Sequence, residues 1–153
     1  MARAAAQIAV LAAGLWLAGS ALMPTVAAET DPAAPAARRA TLEQAARAWE
    51  RGDAAAFARA FAPQGELIVP GQRWVGPEAI RRAFEAFAQD NSDVRIRIRR
   101  LLLDGDAAAI EWDWSHRVRA TGERYRAQDA ILVDFQGAKI ARWREYIDSE
   151  SAS

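Results

Sequence analysis

The chain contains no cysteine and a single histidine. Without cysteine there is no disulfide and no lipidated cysteine near the N-terminus, so an exported domain would have to stand on its hydrophobic core alone. One histidine, with no clustered ligand spacing around it, argues against a metal centre. A glycine-rich phosphate loop is also missing, which argues against a nucleotide, and the expectation is a protein that uses no cofactor. Nor is there an excess of charge of either sign. Twenty basic residues offset twenty acidic ones, which removes the electrostatic case for nucleic acid or an anionic membrane as partner.

What is present is enough for one globular domain: 153 residues, 52% hydrophobic and 26% charged, able to bury a core. Residues 1–28 are of another kind. Arg3 precedes an apolar run from Ala4 to Ala18, and the stretch ends in small residues up to Ala28. This is the form of a secretory signal peptide cut ahead of Glu29, implying an exported, periplasmic or secreted protein. The alternative is an uncleaved anchor, since Ala4 to Ala28 is about long enough to span a bilayer. Residues 29–39, rich in Pro and Ala, read as a flexible lead-in, residues 40–148 as the domain, and residues 149–153 as a disordered tail.

Within the domain, Thr41-Leu42-Glu43-Gln44 has the form of a capping box, followed by Leu42, Ala45, Ala46 and Trp49 on one helical stripe. Gly52 can close that helix, and Asp53 can cap a second, short one carrying Phe57 and Phe61. A strand pair turned by Pro70-Gly71 follows, Glu66 to Val69 and Arg73 to Val75. Pro77 and Glu78 then open a third helix with Ile80, Ala83, Phe84 and Phe87 on its buried face. Val94, Ile96 and Ile98 alternate with Arg95, Arg97 and Arg99 in a strand whose phase breaks near Arg99-Arg100, which predicts a bulge. Helices gathered before four long strands joined by tight turns predict an α+β domain. Its architecture is a cone-shaped barrel of three N-terminal helices packed on a curved, mostly antiparallel sheet. A cavity for a small molecule belongs between them.

The last three strands alternate with period two. Ile110, Trp112, Trp114, His116 and Val118 share a face with Tyr125, Ala127, Asp129, Ile131, Val133 and Phe135. A two-residue turn at Thr121-Gly122 would set Trp114 opposite Asp129 and leave His116 diagonal to it, roughly 7 Å away. For the last hairpin, a two-residue turn would send Arg142 and Arg144 inward. A three-residue turn at Gln136-Gly137-Ala138 sends Trp143 and Glu145 inward and places Asp129 directly opposite Glu145. Burying two arginines is the worse outcome, so the second arrangement is expected.

The phrases GDAAAFARAFAPQGELIVP, GPEAIRRAFEAF, GDAAAIEW and GAKIARWREYID resemble the SnoaL-like branch of the nuclear transport factor 2-like superfamily, over roughly Ala40 to Asp148. The resemblance implies the cone-shaped fold. It leaves activity open among polyketide cyclases, ketosteroid isomerases, limonene epoxide hydrolases, dehydratases and non-enzymatic binding modules. The closing Trp143-Arg144-Glu145-Tyr146-Ile147-Asp148 is similar to the epoxide hydrolases, whose acidic residue at the place of Glu145 helps activate water. Their Arg and Asp on the preceding hairpin are here Trp112 and Trp114, so that activity is not carried over. Polyketide cyclases of this fold use a pocket Asp, for which Asp129 is a counterpart by strand and face. Fold members commonly pair through the outer sheet face, and Leu101 to Leu103 exceed what one face can bury, so a homodimer is expected.

Two carboxylates facing each other on a Trp-lined surface are costly to ionise together. The expectation is an acid/base site of Asp129 and Glu145, with His116 as relay or hydrogen-bond donor. A small apolar molecule would be held by Trp112, Trp114, Trp143, Trp49, Phe57, Phe84 and Tyr125. It would be isomerised, cyclised, dehydrated or hydrated, or else simply bound. The bland alternatives are a rim histidine half in water and carboxylates satisfied by an arginine such as Arg73.

Overall fold

The computed structural model describes residues 33–149. The expected signal peptide and most of the expected tail lie outside them. Three helices precede and interrupt a strand series: α1 (Ala34–Arg51), α2 (Ala54–Arg59), β1 (Phe61–Val69), β2 (Gln72–Val75), α3 (Pro77–Asp90), β3 (Asn91–Asp104), β4 (Ala107–Val118), β5 (Arg124–Gln136) and β6 (Lys139–Asp148). The six strands form one sheet in the order β2-β1-β6-β5-β4-β3. The β1–β6 pair is parallel and every other pair antiparallel. The sheet is curved and unclosed, and the helices pack against it.

Helix punctuation follows the sequence at three points. Gly52 closes α1 in the left-handed conformation at φ 69°, where a side chain would be strained. The Asp53 side chain accepts from the Ala56 N–H at the start of α2. Pro77 opens α3, with Glu78 in its first turn. At the start of α1 the structure differs. The helix begins at Ala34 with Pro35 in its first turn, so residues 34–39 of the expected lead-in are helical and Thr41 caps nothing. Its hydroxyl lies 2.9 Å from the Ala138 carbonyl. One turn earlier, Arg38 donates to the carbonyls of Gly137 and Gly105. These contacts to two hairpin ends stabilise a helix start that no local capping signal announces.

Phe61, expected on α2, opens β1 instead. Beyond it the β1–β6 register shifts between Phe61 and Glu66. A Cβ on Gly65 would stand 2.6 Å from the Ile140 carbonyl, closer than backbone tolerates, so glycine is the residue that permits this strand contact. The β3 bulge falls at Arg99, where the ladder skips from Ile98 to Arg100. Leu42, Ala45, Phe57, Ile80, Phe84, Ile110, Trp112, Ile131, Val133, Ile140 and Trp143 form a continuous core between the helices and the concave sheet face. Fully burying each large member contributes roughly 1.5–3 kcal/mol relative to exposure.

Candidate active site

Register decides which side chains meet. β4 and β5 are joined through residues 119–123, a longer connection than the expected two-residue turn, and the ladder is displaced from expectation by one inward-facing pair. Trp112 is opposite Asp129, Trp114 opposite Ala127 and His116 opposite Tyr125. His116 is therefore not diagonal to Asp129. A whole residue pair lies between them, about 13 Å along the strand at 3.3 Å per residue, which removes the expected relay. In the last hairpin the turn is the short one, Gln136 opposite Lys139, and it points Ile140 into the core. The ladder then skips Ala141, so that Asp134 faces Arg142 and Val133 faces Trp143. This bulge restores the inward direction of Trp143 and Glu145 without burying either arginine. It also puts Glu145 opposite Ile131 and Asp129 opposite Ile147, making the two carboxylates diagonal neighbours instead of a directly facing pair.

Each polar group of this face is held by an indole. The Trp112 Nε1–H donates to Asp129 Oδ2 at 2.7 Å across the β4–β5 ladder. The Trp143 Nε1–H donates to Glu145 Oε1 at 2.7 Å, and the Trp114 Nε1–H donates to His116 Nδ1 at 2.9 Å. The last two join residues two apart on one strand, which share a face. An indole N–H can only donate, so Nδ1 of His116 must accept, and the neutral ring carries its proton on Nε2. Burial and then the Arg124 charge hold the His116 pKa below its ordinary value, favouring that neutral form.

The carboxyls move in the other direction. Burial raises Asp129, 4% exposed, to about 6, against the smaller opposing effect of the Trp112 hydrogen bond. Burial raises Glu145 to about 7, opposed by the Trp143 hydrogen bond and assisted by the charge of Asp129. Oδ1 of Asp129 is buried with no hydrogen-bond partner among the described residues, as is Nε1 of Trp49. Arg73, the arginine considered as a structural partner for the pair, is engaged with Glu66 instead.

These groups border a cavity of about 820 Å³ between α1, α3 and the concave sheet face. Trp49, Phe84, Trp114, His116, Tyr125, Asp129 and Glu145 line it as expected. Trp112 and Trp143 do not: both are almost wholly buried behind the carboxyls and act as tethers, not walls. Phe57 lies in the core against Trp49, Phe61 and Trp143. Trp74 and Phe87 complete the aromatic wall. Phe87 belongs to the periodic stripe of α3 and was visible there, whereas Trp74 sits on a strand too short for alternation to orient it. His116 lies against Phe87 and Tyr125, with centroids at 5.1 and 4.9 Å, and Tyr125 is 38% exposed. A larger, more open hollow of about 1020 Å³ is bordered by Arg73, Arg100, Leu102, Arg144 and Tyr146, and Asp129 and Glu145 reach its lining as well. Both hollows reach the carboxyls, and the inner cavity is the better site because it alone adds the aromatic walls and His116 to them and is the less open of the two. Among the described residues, no three His, Asp or Glu side chains gather as a metal site requires, and no helix is long and apolar enough to cross a membrane.

Residues 42–143 match the family model of the SnoaL-like domain. No curated protein matches the sequence. Solved structures share the fold at low identity. One is a protein of ketosteroid isomerase-like fold from Catenulispora acidiphila, in complex with trimethylamine: 20% identical, TM-score 0.68, covering 73% of this chain and 88% of that one. A nuclear transport factor 2-like protein from Anabaena variabilis is 18% identical, TM-score 0.68, covering 78% and 92%. An epoxide hydrolase of limonene epoxide hydrolase-like type from M. tuberculosis is 19% identical, TM-score 0.66, covering 76% and 86%.

Proposed function

For a chain that belongs to the SnoaL-like domain family, where one fold serves unrelated chemistries, we propose that the cavity is a cofactor-independent acid/base site. Its substrate is a small, largely apolar molecule, isomerised, cyclised, dehydrated or hydrated. The observation that carries this reading is the diagonal pair Asp129 and Glu145, each fixed through one oxygen by an uncharged indole donor. An arginine in the same place would hold a carboxylate ionised; an indole orients it and leaves burial to raise its pKa. With values of about 6 and about 7, the pair holds one proton between them at about pH 6.5. That is the condition for one group to take a proton while its neighbour gives one. Asp129, which ionises at the lower pH of the two, is the group we assign as base, and Glu145 the acid. His116 offers its Nε2–H further along the cavity, where it can orient a polar end of the substrate but not relay protons to Asp129.

Carbon-13 NMR titration of the carboxyls tests the physical basis; two ordinary values near 4 would remove it. The second reading, a non-catalytic binding module, draws on the apolar walls and on the small-molecule complex of the Catenulispora relative. Substituting Asp129→Asn and Glu145→Gln separates the two, since a binder keeps its ligand and an enzyme loses turnover.

Two further parts of the reading stand apart from the cavity. Leu102, Leu132 and Tyr146 are 56%, 46% and 48% exposed on the outer sheet face, which supports a homodimer through that face, and a monomer mass by light scattering would count against it. The apolar run of residues 1–28 supports export with cleavage near Ala28. An intact mass beginning at or close to Glu29 is expected, and recovery solely as the full-length chain in membranes would overturn it.

A further inference from the structure

Elsewhere on the sheet, four carboxylates are matched with arginines: Glu66 with Arg73, Asp93 with Arg124, Asp113 with Arg99 and Asp134 with Arg142. The chain has twenty basic residues to draw on. Yet among the described residues neither Asp129 nor Glu145 forms an ion pair, and no basic side chain contributes to the perturbation of either. Among the described residues, Arg82 is the one arginine or lysine bordering the cavity. It lies at the rim, with a side chain 63% exposed and paired to Glu78.

The remaining walls are aromatic, with aliphatic patches from Leu67, Val69 and Ile147. Trp49, Trp74, Phe84, Phe87, Trp114 and Tyr125 enclose the space, and the face of an aromatic ring carries partial negative charge. Carboxyls without a cation and rings without a cation thus surround one volume. An apolar neutral ligand would fill that volume but leave the negative potential unmatched, whereas a cation with a hydrocarbon coat would satisfy rings and carboxyls together.

We propose that the cavity takes an organic cation, a tertiary or quaternary ammonium whose alkyl groups pack on the aromatic wall while its charge faces Asp129 and Glu145. This rests on the acid/base reading of the same cavity and names its substrate class. A bare primary ammonium or a guanidinium fits less well. Each needs several hydrogen-bond acceptors, and the indole tethers already occupy one oxygen of each carboxyl.

The test compares choline with its uncharged isostere, in which a tert-butyl group replaces trimethylammonium. Tetramethylammonium and benzyltrimethylammonium serve as smaller and larger cations. Binding to the purified protein is read by tryptophan fluorescence and calorimetry. At least one cation is expected to bind about tenfold or more tighter than the neutral isostere, a ratio that corresponds to 1.4 kcal/mol. Affinity should fall between about pH 8 and about pH 5 as the carboxyls take up protons. The other titratable or charged groups bordering the cavity are His116 on β4, Tyr125 on β5, and Arg82 and Asp90 on α3. Protonating His116 adds positive charge and would weaken the cation further, so the Asp129→Asn/Glu145→Gln variant separates the contributions. It should lose the cation preference while still binding the isostere. Tighter or equal binding of the isostere overturns the proposal, and so does the absence of saturable binding by all three cations up to about 10 mM. Raised carboxyl pKa values in the NMR titration, together with a neutral preference, would remove the cation and leave the acid/base reading standing.

Discussion

The two faces of this sheet treat the same functional group in opposite ways. On the outer face and at the sheet edge, Glu66 is held below its ordinary pKa, chiefly by its hydrogen bond to Arg73. Asp93 also lies below, because Arg95 and Arg124 outweigh the opposing effect of burial. On the inner face, Asp129 and Glu145 each accept an indole hydrogen bond at 2.7 Å, yet burial pushes both up. Two things differ: the inner carboxyls are the more deeply buried, and their donors carry no charge. A guanidinium stabilises the ionised form by Coulombic attraction as well as hydrogen bonding, whereas an indole supplies the hydrogen bond alone. The lesson is that a hydrogen bond does not by itself make a carboxylate an ordinary structural group.

The largest effect should come from removing a tether. Trp143 is wholly buried, so Trp143→Ala is expected to destabilise the fold by about 3–5 kcal/mol in urea denaturation. Trp143→Phe keeps most of the volume and loses the N–H; the expected outcome is a smaller destabilisation, of about 1–3 kcal/mol, with a further rise in the Glu145 pKa by NMR. A Glu145 that titrates unchanged in Trp143→Phe would show that the tether does not set its protonation.

Next in size is the pH dependence of stability. In the fold, Asp129 and Glu145 keep protons that an unfolded chain has already released, so between about pH 4 and about pH 7 the folded state binds more protons and these two groups make stability fall as pH rises. Moving a pKa by one pH unit corresponds to about 1.4 kcal/mol. Replacing Asp129 by Asn and Glu145 by Gln should therefore raise stability near pH 8 relative to the parent by on the order of 2 kcal/mol, while changing it little near pH 4. Glu66, Glu78 and Asp93 act in the opposite sense: the stability they contribute is present above the ordinary carboxylate range and lost as pH falls below it. Chemical denaturation across that range in parent and variant measures both. A variant whose profile parallels the parent's would break the contrast between the faces.

The smallest effect belongs outside. Arg73→Met removes an exposed ion pair, and the change in unfolding free energy should not exceed the error of a urea titration. A loss several times larger would mean that the outer pairs are structural and the comparison less sharp.

Much of the fold was readable because it depends on local chemistry. Gly52, Asp53 and Pro77 punctuate the helices through backbone preferences that act over one turn. The period-two alternation of β4 and β5 oriented Trp112, Trp114, His116 and Asp129 correctly to the inner face, and the broken phase at Arg99 located a bulge. The start of α1 was not readable, since its partners are carbonyls of two hairpins about 70 to 100 residues away.

By itself the sequence determined the order of elements, the face each strand buries, and the presence of two acidic residues and one histidine on an aromatic surface. Period, capping and turn chemistry are written in neighbouring residues. Only the tertiary structure decided which of those residues meet. One connection of residues 119–123 and one skipped residue, Ala141, displaced the registers. Those shifts separated His116 from Asp129, made the carboxylates diagonal, and turned Trp112 and Trp143 from walls into donors. Register is a property of pairs of strands, fixed by how the whole inner face packs, and a one-residue bulge that reverses the facing of everything beyond it leaves little trace in the local pattern.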